Sequence, residues 1–244
     1  MFRQSIKEHK ETLDPSAPRD FIDYYIMEIE KTKDDDFSED QLMGIIFDLF
    51  IAGAETTSTT LKWAVLFLTV NPDVQKKCRK EIQDTIGSRQ PALPDMDKLV
   101  YCQATILEIQ RMGCTVPSSL NHRVMEDTTV DGHFFPKNTI VLANIYYMMK
   151  SEAFWENPSV FDPNRFIKAG KLQKDLPQMM PFSVGRLVCM GDSLAKNELS
   201  IFFTSMVQRL KFSVPLQGKR PSPDEFHTGV TTIPEDYSVH IEQC

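Results

Sequence analysis

Pro181-Phe182-Ser183-Val184-Gly185-Arg186-Leu187-Val188-Cys189-Met190-Gly191-Asp192 is the stretch on which the reading of this chain turns. It sets a cysteine between two glycines, just before a helical pattern from Leu194 to about Leu210. Glycine lets a backbone fold tightly around the sulfur and approach a flat ligand closely. A helix N-terminus beside a cysteine favours thiolate over thiol. A preformed thiolate in an apolar loop is a donor suited to haem iron. A structural cysteine buried after a glycine turn fits the same residues, and both readings stand at this point.

The surrounding chain narrows the classes. With 244 residues, 41% of them hydrophobic and 25% charged, it can bury a substantial core. A net charge of -7 and the lack of a basic stripe interleaved with aromatics argue against a nucleic-acid surface. The five cysteines (78, 102, 114, 189, 244) and five histidines are scattered, which disfavours a zinc cluster or a disulfide framework and suits a reducing compartment. Leu42 to Val70 is the most apolar stretch; Asp48, Glu55 and Lys62 interrupt it, so it reads as a buried helix rather than a membrane span. The opening, Phe2 to Asp14, is charged and lacks a core-like apolar pattern.

Along the chain, residues 20–33 have helical spacing, and a charged connection follows over Lys31 to Asp36. Ser38 and Gln41 form a capping box, and Phe37 and Leu42 a hydrophobic staple, for a long central helix to Val70. Asn71-Pro72 supplies an N-cap and a proline at N1 for the next helix, whose face carries Val74, Cys78, Ile82 and Ile86 and which Gly87 closes. A helix from about Val100 to Met112 precedes β-rich segments from Val116 to Ile145, with turns at Asp131-Gly132 and Pro136-Lys137. Residues 153–181 are proline-rich and irregular, and long irregular segments in compact domains mostly persist for function.

Three further constellations bear on chemistry. Ala52-Gly53-Ala54-Glu55-Thr56-Thr57 places a carboxylate and a hydroxyl in an apolar helix, where both are costly without a role or partner. Small residues there can admit a flat ligand; equally, Thr56 can bond back to the preceding turn while Glu55 faces solvent. Glu108 and Arg111, at i,i+3, share a helix face and can pair. Asp162-Pro163-Asn164-Arg165-Phe166 offers another arginine in the irregular segment.

Taken in order, these motifs and the cysteine loop resemble the cytochrome P-450 haem-thiolate monooxygenases over essentially the whole chain. Pro18-Arg19-Asp20-Phe21-Ile22-Asp23, Glu108-Ile109-Gln110-Arg111 and Met180-Pro181-Phe182-Ser183 look like the animal microsomal clan that includes family 2. Phe212-Ser213-Val214-Pro215 with Arg220-Pro221-Ser222 looks closest to subfamily 2D. The resemblance implies a mainly α fold with small β-sheets (α+β), residues 1–244 being the C-terminal portion of a single domain. It implies haem b as cofactor, with Cys189 as axial iron ligand. Glu55 and Thr56 would deliver protons to the reacting oxygen. Ala52, Gly53, His122, Phe182, Gly185, Arg186 and Gly191 would meet the haem. Phe47, Ile51, Ala54, Val116, Leu120, Val230 and Thr231 would face substrate, core packing being their plainer alternative. Glu108, Arg111 and Arg165 would form a buried ion network.

Two departures carry expectations of their own. Relatives place arginine or histidine two residues before the cysteine, against a haem propionate; here Leu187 stands there and Arg186 is one residue early. Haem retention is then expected to lean on His122 and Arg123. Relatives are also about twice as long, so the chain is expected to be a fragment of a longer enzyme, or else a truncated product, with the membrane anchor and part of the substrate roof outside it. The implied partners are an NADPH-dependent flavoprotein reductase, O2 and a small lipophilic substrate, and the implied location is the cytoplasmic face of the endoplasmic reticulum membrane. Lys76, Lys77, Arg79 and Lys80 could meet the reductase or form a solvated helix face. A haem-thiolate isomerase or dehydratase, and a non-catalytic haem-binding remnant, are the other readings.

Overall fold

The structure, a computed structural model, describes residues 2–32, 37–173 and 175–244. The charged connection expected over 31–36 lies, from 33 onward, outside the described residues. The chain forms two units, one up to Glu55 and one from Thr56 to Cys244. The long helix α3 (Glu39–Val70) runs through the boundary.

In the first unit, α1 (Phe2–Thr12) and α2 (Phe21–Thr32) join the opening turns of α3. The charged stretch at the start is thus a helix, and Ile6 is its buried anchor beside Tyr25, Ile26 and Leu42. Asp20 caps α2 by accepting the N–H of Ile22 at 2.9 Å through Oδ1, while its Oδ2 lies 2.8 Å from His9 Nε2. Arg19 grips the buried Asp23 carboxylate with two N–H donors (2.7 and 2.8 Å), holding that carboxyl down at about 2. Ser38 caps α3 as expected, its hydroxyl accepting the Gln41 N–H at 3.2 Å.

In the second unit, the rest of α3 packs with α4 (Pro72–Thr85), α5 (Val100–Gly113), the short α6 (Ile145–Lys150) and α7 (Asp192–Arg209). Trp63, Phe67, Cys78, Ile82, Leu99, Ile109, Phe203 and Val207 form its core. Among the described residues the strands make five two-stranded antiparallel ribbons. These are β1 (His122–Arg123) with β4 (Ile140–Val141), β2 (Thr128–Val130) with β3 (His133–Phe135), β5 (Ile167–Lys168) with β6 (Lys171–Leu172), β7 (Leu210–Ser213) with β10 (His240–Gln243), and β8 (Phe226–Thr228) with β9 (Thr232–Pro234). Asp131 and Gly132, at φ of 49° and 82°, make the tight β2–β3 turn expected of that pair.

Several local expectations need correction. Asn71 stands at the N-cap of α4, but its side chain turns back and donates to the Phe67 carbonyl of α3 at 2.9 Å, sealing the helix behind it. The start of α5 is capped from outside: both Glu81 oxygens accept N–H groups, of Tyr101 and Cys102, at 2.8 Å. The α7 helix begins at Asp192 rather than Leu194, because Asp192 pairs with Lys196 one turn on. The long apolar helix is buried only in part. From Thr57 to Phe67 most side chains are covered, whereas Phe47 to Glu55 are exposed, with the Phe2 ring edge-on to Phe47 and Phe50. Hydrophobicity told of an apolar helix, not of where its cover comes from. Among the described residues no helix is long and apolar enough to cross a membrane.

Candidate functional site

Cys189 is exposed, which removes the buried structural reading. Its loop is built in three steps. Ser183 and Gly185 both take positive φ (64° and 80°), turning the chain outward. Gly185–Leu187 then form a single 3-10 turn, closed by the Val188 N–H donating to the Gly185 carbonyl at 3.2 Å. Finally the Cys189 N–H donates to the Phe182 carbonyl at 3.0 Å, and the Asp192 N–H to the Cys189 carbonyl at 3.3 Å. Gly185 needs its glycine for conformation. Gly191, at φ -89°, does not; a Cβ there would lie 3.9 Å from the Cys189 sulfur, in ordinary contact. Around the thiol, Val184, Leu187 (69% exposed), Val188, Met190 (91%) and Leu194 turn apolar surface to solvent. Exposed apolar surface gathered round one polar group is characteristic of a ligand-binding face.

The loop's residues fit haem. A single soft sulfur suits an iron that takes one axial ligand. The apolar rim suits a flat macrocycle, and the space where a Gly185 side chain would stand is open to 4 Å. Arg186, a cation that could meet an acid group, is exposed on the same turn.

On α3, Ala52, Gly53, Ala54 and Glu55 are exposed and Thr56 is half-buried. One turn on, Thr60 donates its hydroxyl to the Thr56 carbonyl at 2.8 Å and lies 3.2 Å from the Thr115 hydroxyl. The Thr115 carbonyl accepts the Thr232 N–H at 2.8 Å, and the Thr232 carbonyl accepts the Trp63 indole N–H at 3.0 Å. This stitch brings Thr56, Val116 and the Val230–Thr231 turn of the β8–β9 hairpin to one place. Sequence reasoning missed Thr60, Thr115, Trp63 and Thr232; the repeat of threonine at 56 and 60 was the available sign. Phe47, Ile51, Ala54, Leu120 and Val230 are exposed and Val116 and Thr231 half-buried, so none is core in this chain.

Glu108 and Arg111 have fully buried side chains and meet through two hydrogen bonds, 2.7 and 2.9 Å. Arg165 donates to the same carboxylate at 3.0 Å, and so does the Asp162 N–H at 2.9 Å. The remaining guanidinium donors reach backbone: Arg111 to the carbonyls of Met149 and Pro158, Arg165 to those of Glu156 and Val160. Trp155 lies against both guanidinium groups, 5.3 and 5.9 Å from their carbons. The expected network is therefore present, and it is larger than three residues.

Beside it, Lys150 donates its ammonium to the Met112 carbonyl at the end of α5. Burial, and then the like charge of Arg111, lower its pKa to about 8. His122 and Arg123 lie on β1, and no hydrogen bond joins either to the cysteine loop among the described residues. The basic cluster on α4 is divided: Arg79 turns inward to the Val207 and Leu210 carbonyls at the end of α7 (3.1 and 2.7 Å), leaving Lys76, Lys77 and Lys80 on the surface.

Comparison with known proteins completes the site's context. The sequence model of the family described as Cytochrome P450 matches residues 1–241. "Cytochrome P450 2U1" of Mus musculus is 41% identical over 98% of this chain and 46% of its own length. "Cytochrome P450 2B4" of Oryctolagus cuniculus is 38% identical over 98% and 49%. "Cytochrome P450 2D20" of Mesocricetus auratus is 41% identical over 93% and 46%. The chain thus spans about half the length of the curated relatives it matches.

Proposed function

The chain belongs to the cytochrome P450 family, of the family 2 type, and from that premise we propose that Cys189 holds the iron of haem b in a monooxygenase acting on lipophilic substrates. The observation that carries this reading is the exposed sulfur, set by a glycine turn in an apolar rim just ahead of α7. When bound, haem supplies the reductive activation of O2, one atom of which enters the substrate.

The chain's own residues then divide the work. Cys189 would offer its sulfur to the iron, its backbone held by the Phe182 carbonyl and the Asp192 N–H. Gly185, Arg186, Gly191 and Phe182 would shape the haem site around the cysteine, and Ala52, Gly53 and His122 are the further residues that would hold the group. Glu55 holds the proton and Thr56 passes it on at its hydroxyl, a relay of the general acid kind. Phe47, Ile51, Ala54, Val116, Leu120, Val230 and Thr231 receive substrate through apolar contact. Glu108, Arg111 and Arg165 keep the irregular segment in place and touch no reactant.

In the same reading, residues 1–244 are the C-terminal portion of a single domain. Electrons come from NADPH through a flavoprotein reductase, and the enzyme sits on the cytoplasmic face of the endoplasmic reticulum membrane. The reduced, carbon-monoxide difference spectrum of the haem-loaded chain tests the reading, with Cys189→Ser beside it. A strongly red-shifted Soret band that the variant lacks is the expected result. The same spectrum from both proteins would overturn it.

A further inference from the structure

The two residues that fix the backbone of Cys189 are themselves tied together by a third. Phe182 accepts the cysteine N–H and Asp192 donates to the cysteine carbonyl. Lys196, one turn into α7, places its ammonium 5.2 Å from the centroid of the Phe182 ring and 2.6 Å from Asp192 Oδ2. Cys189, Phe182, Lys196 and Asp192 therefore close a ring: two backbone hydrogen bonds on one side, a cation–π contact and an ion pair on the other. We propose that Lys196 is a positioning residue for the iron-ligating cysteine, holding Phe182 to α7 so that the sulfur stays at one height above the helix start.

The physical reason lies in what each half of the ring lacks alone. Val184 to Val188 are exposed and the turn rests on two positive-φ residues, Ser183 and Gly185, so it carries little packing of its own. The Lys196–Asp192 pair, 58% and 29% exposed, is an i,i+4 contact that by itself only decorates the helix. Placed over an aromatic ring, the same cation joins the two elements, and a cation–π contact tolerates partial exposure. This rests on the reading of Cys189 as the iron ligand, yet the clasp can be examined without haem.

The experiment is amide hydrogen exchange at Cys189 in the full chain, for wild type, Lys196→Met and Lys196→Arg. Loss of the clasp in Lys196→Met should speed exchange of the Cys189 N–H about three- to ten-fold, an order-of-magnitude figure for one cation–π contact plus one exposed ion pair. The amides of Leu199 and Phe203, in the same helix, should keep their rates, and Lys196→Arg should restore the slow rate. An unchanged Cys189 rate in Lys196→Met overturns the proposal, as does equal acceleration along all of α7. With haem loaded, Lys196→Met should shift part of the reduced carbon-monoxide complex from the thiolate band to the thiol band at unchanged haem content. If Cys189→Ser leaves that spectrum untouched, the ligation reading fails, while the exchange rates still decide the clasp by themselves.

Discussion

The Glu108 network and the Cys189 loop lie on elements of the same unit and are finished to different degrees. Around Glu108 every charge is answered inside the chain: one carboxylate takes three donors from two arginines and a fourth from backbone, and the spare guanidinium donors end on carbonyls. Around Cys189 the backbone is fixed while the side chains face outward, sulfur and apolar rim alike. A buried charge tolerates no missing partner, so its partners must come from the chain itself. A ligand-binding surface has the opposite requirement: it keeps its contacts open for the group that will fill them.

The contrast is broken most severely at the network. Glu108→Gln leaves Arg111 buried with its full counter-charge gone and should cost about 3–5 kcal/mol, whereas Cys189→Ser, at an exposed position, should stay within about 0.5 kcal/mol. Urea denaturation of the two variants side by side measures both. Two glycine substitutions sharpen the same contrast. A Cβ at Gly113 would meet the Trp63 ring at 2.8 Å, so Gly113→Ala should destabilise the packed side by about 1–3 kcal/mol. Gly185→Ala meets no atom but must hold φ at 80°, which should cost about 1 kcal/mol, seen as local loosening of the loop by hydrogen exchange.

Lys150, beside the network, gives it a pH signature. Lys150 binds its proton less tightly folded, at about 8, than it does unfolded, near 10.5. Between those values the unfolded chain holds more protons, so stability should rise with pH from 8 toward 10.5 and be lost again as pH falls through 8. Burial raises the Cys102, Cys114 and Tyr101 pKa values and so lowers stability over the same range, which makes the difference in urea midpoint between wild type and Lys150→Met the quantity that should show the Lys150 rise. A last test concerns Thr57, whose buried hydroxyl has no hydrogen-bond partner among the described residues. Thr57→Val should be neutral or stabilising by up to about 1 kcal/mol, read from the melting temperature.

How much of this was legible in the sequence follows from the kind of contact involved. The i,i+3 spacing of Glu108 and Arg111 announced a shared face, and the cysteine loop announced its turn, because both are local. The carbonyls of Met149, Pro158 and Val160 could not be foreseen as acceptors, since every residue has one and only the fold selects among them. Asn71 misled for a similar reason: its amide can serve the helix before or after it, and α3 won. The apolar run of α3 predicted a helix correctly but not its exposure from Phe47 to Glu55, because hydropathy records what a segment prefers and not which surface meets that preference. Arg79 looked like one of four surface charges until the end of α7 supplied acceptors for it.

Arg111 and Arg165 between them hold carbonyls on both sides of the exposed Glu152–Phe154 stretch, from Met149 to Val160. A protease that cut the chain there would part it covalently but not physically. The two pieces would separate on a denaturing gel and yet elute and melt together, as a nicked protein whose halves are riveted by guanidinium groups.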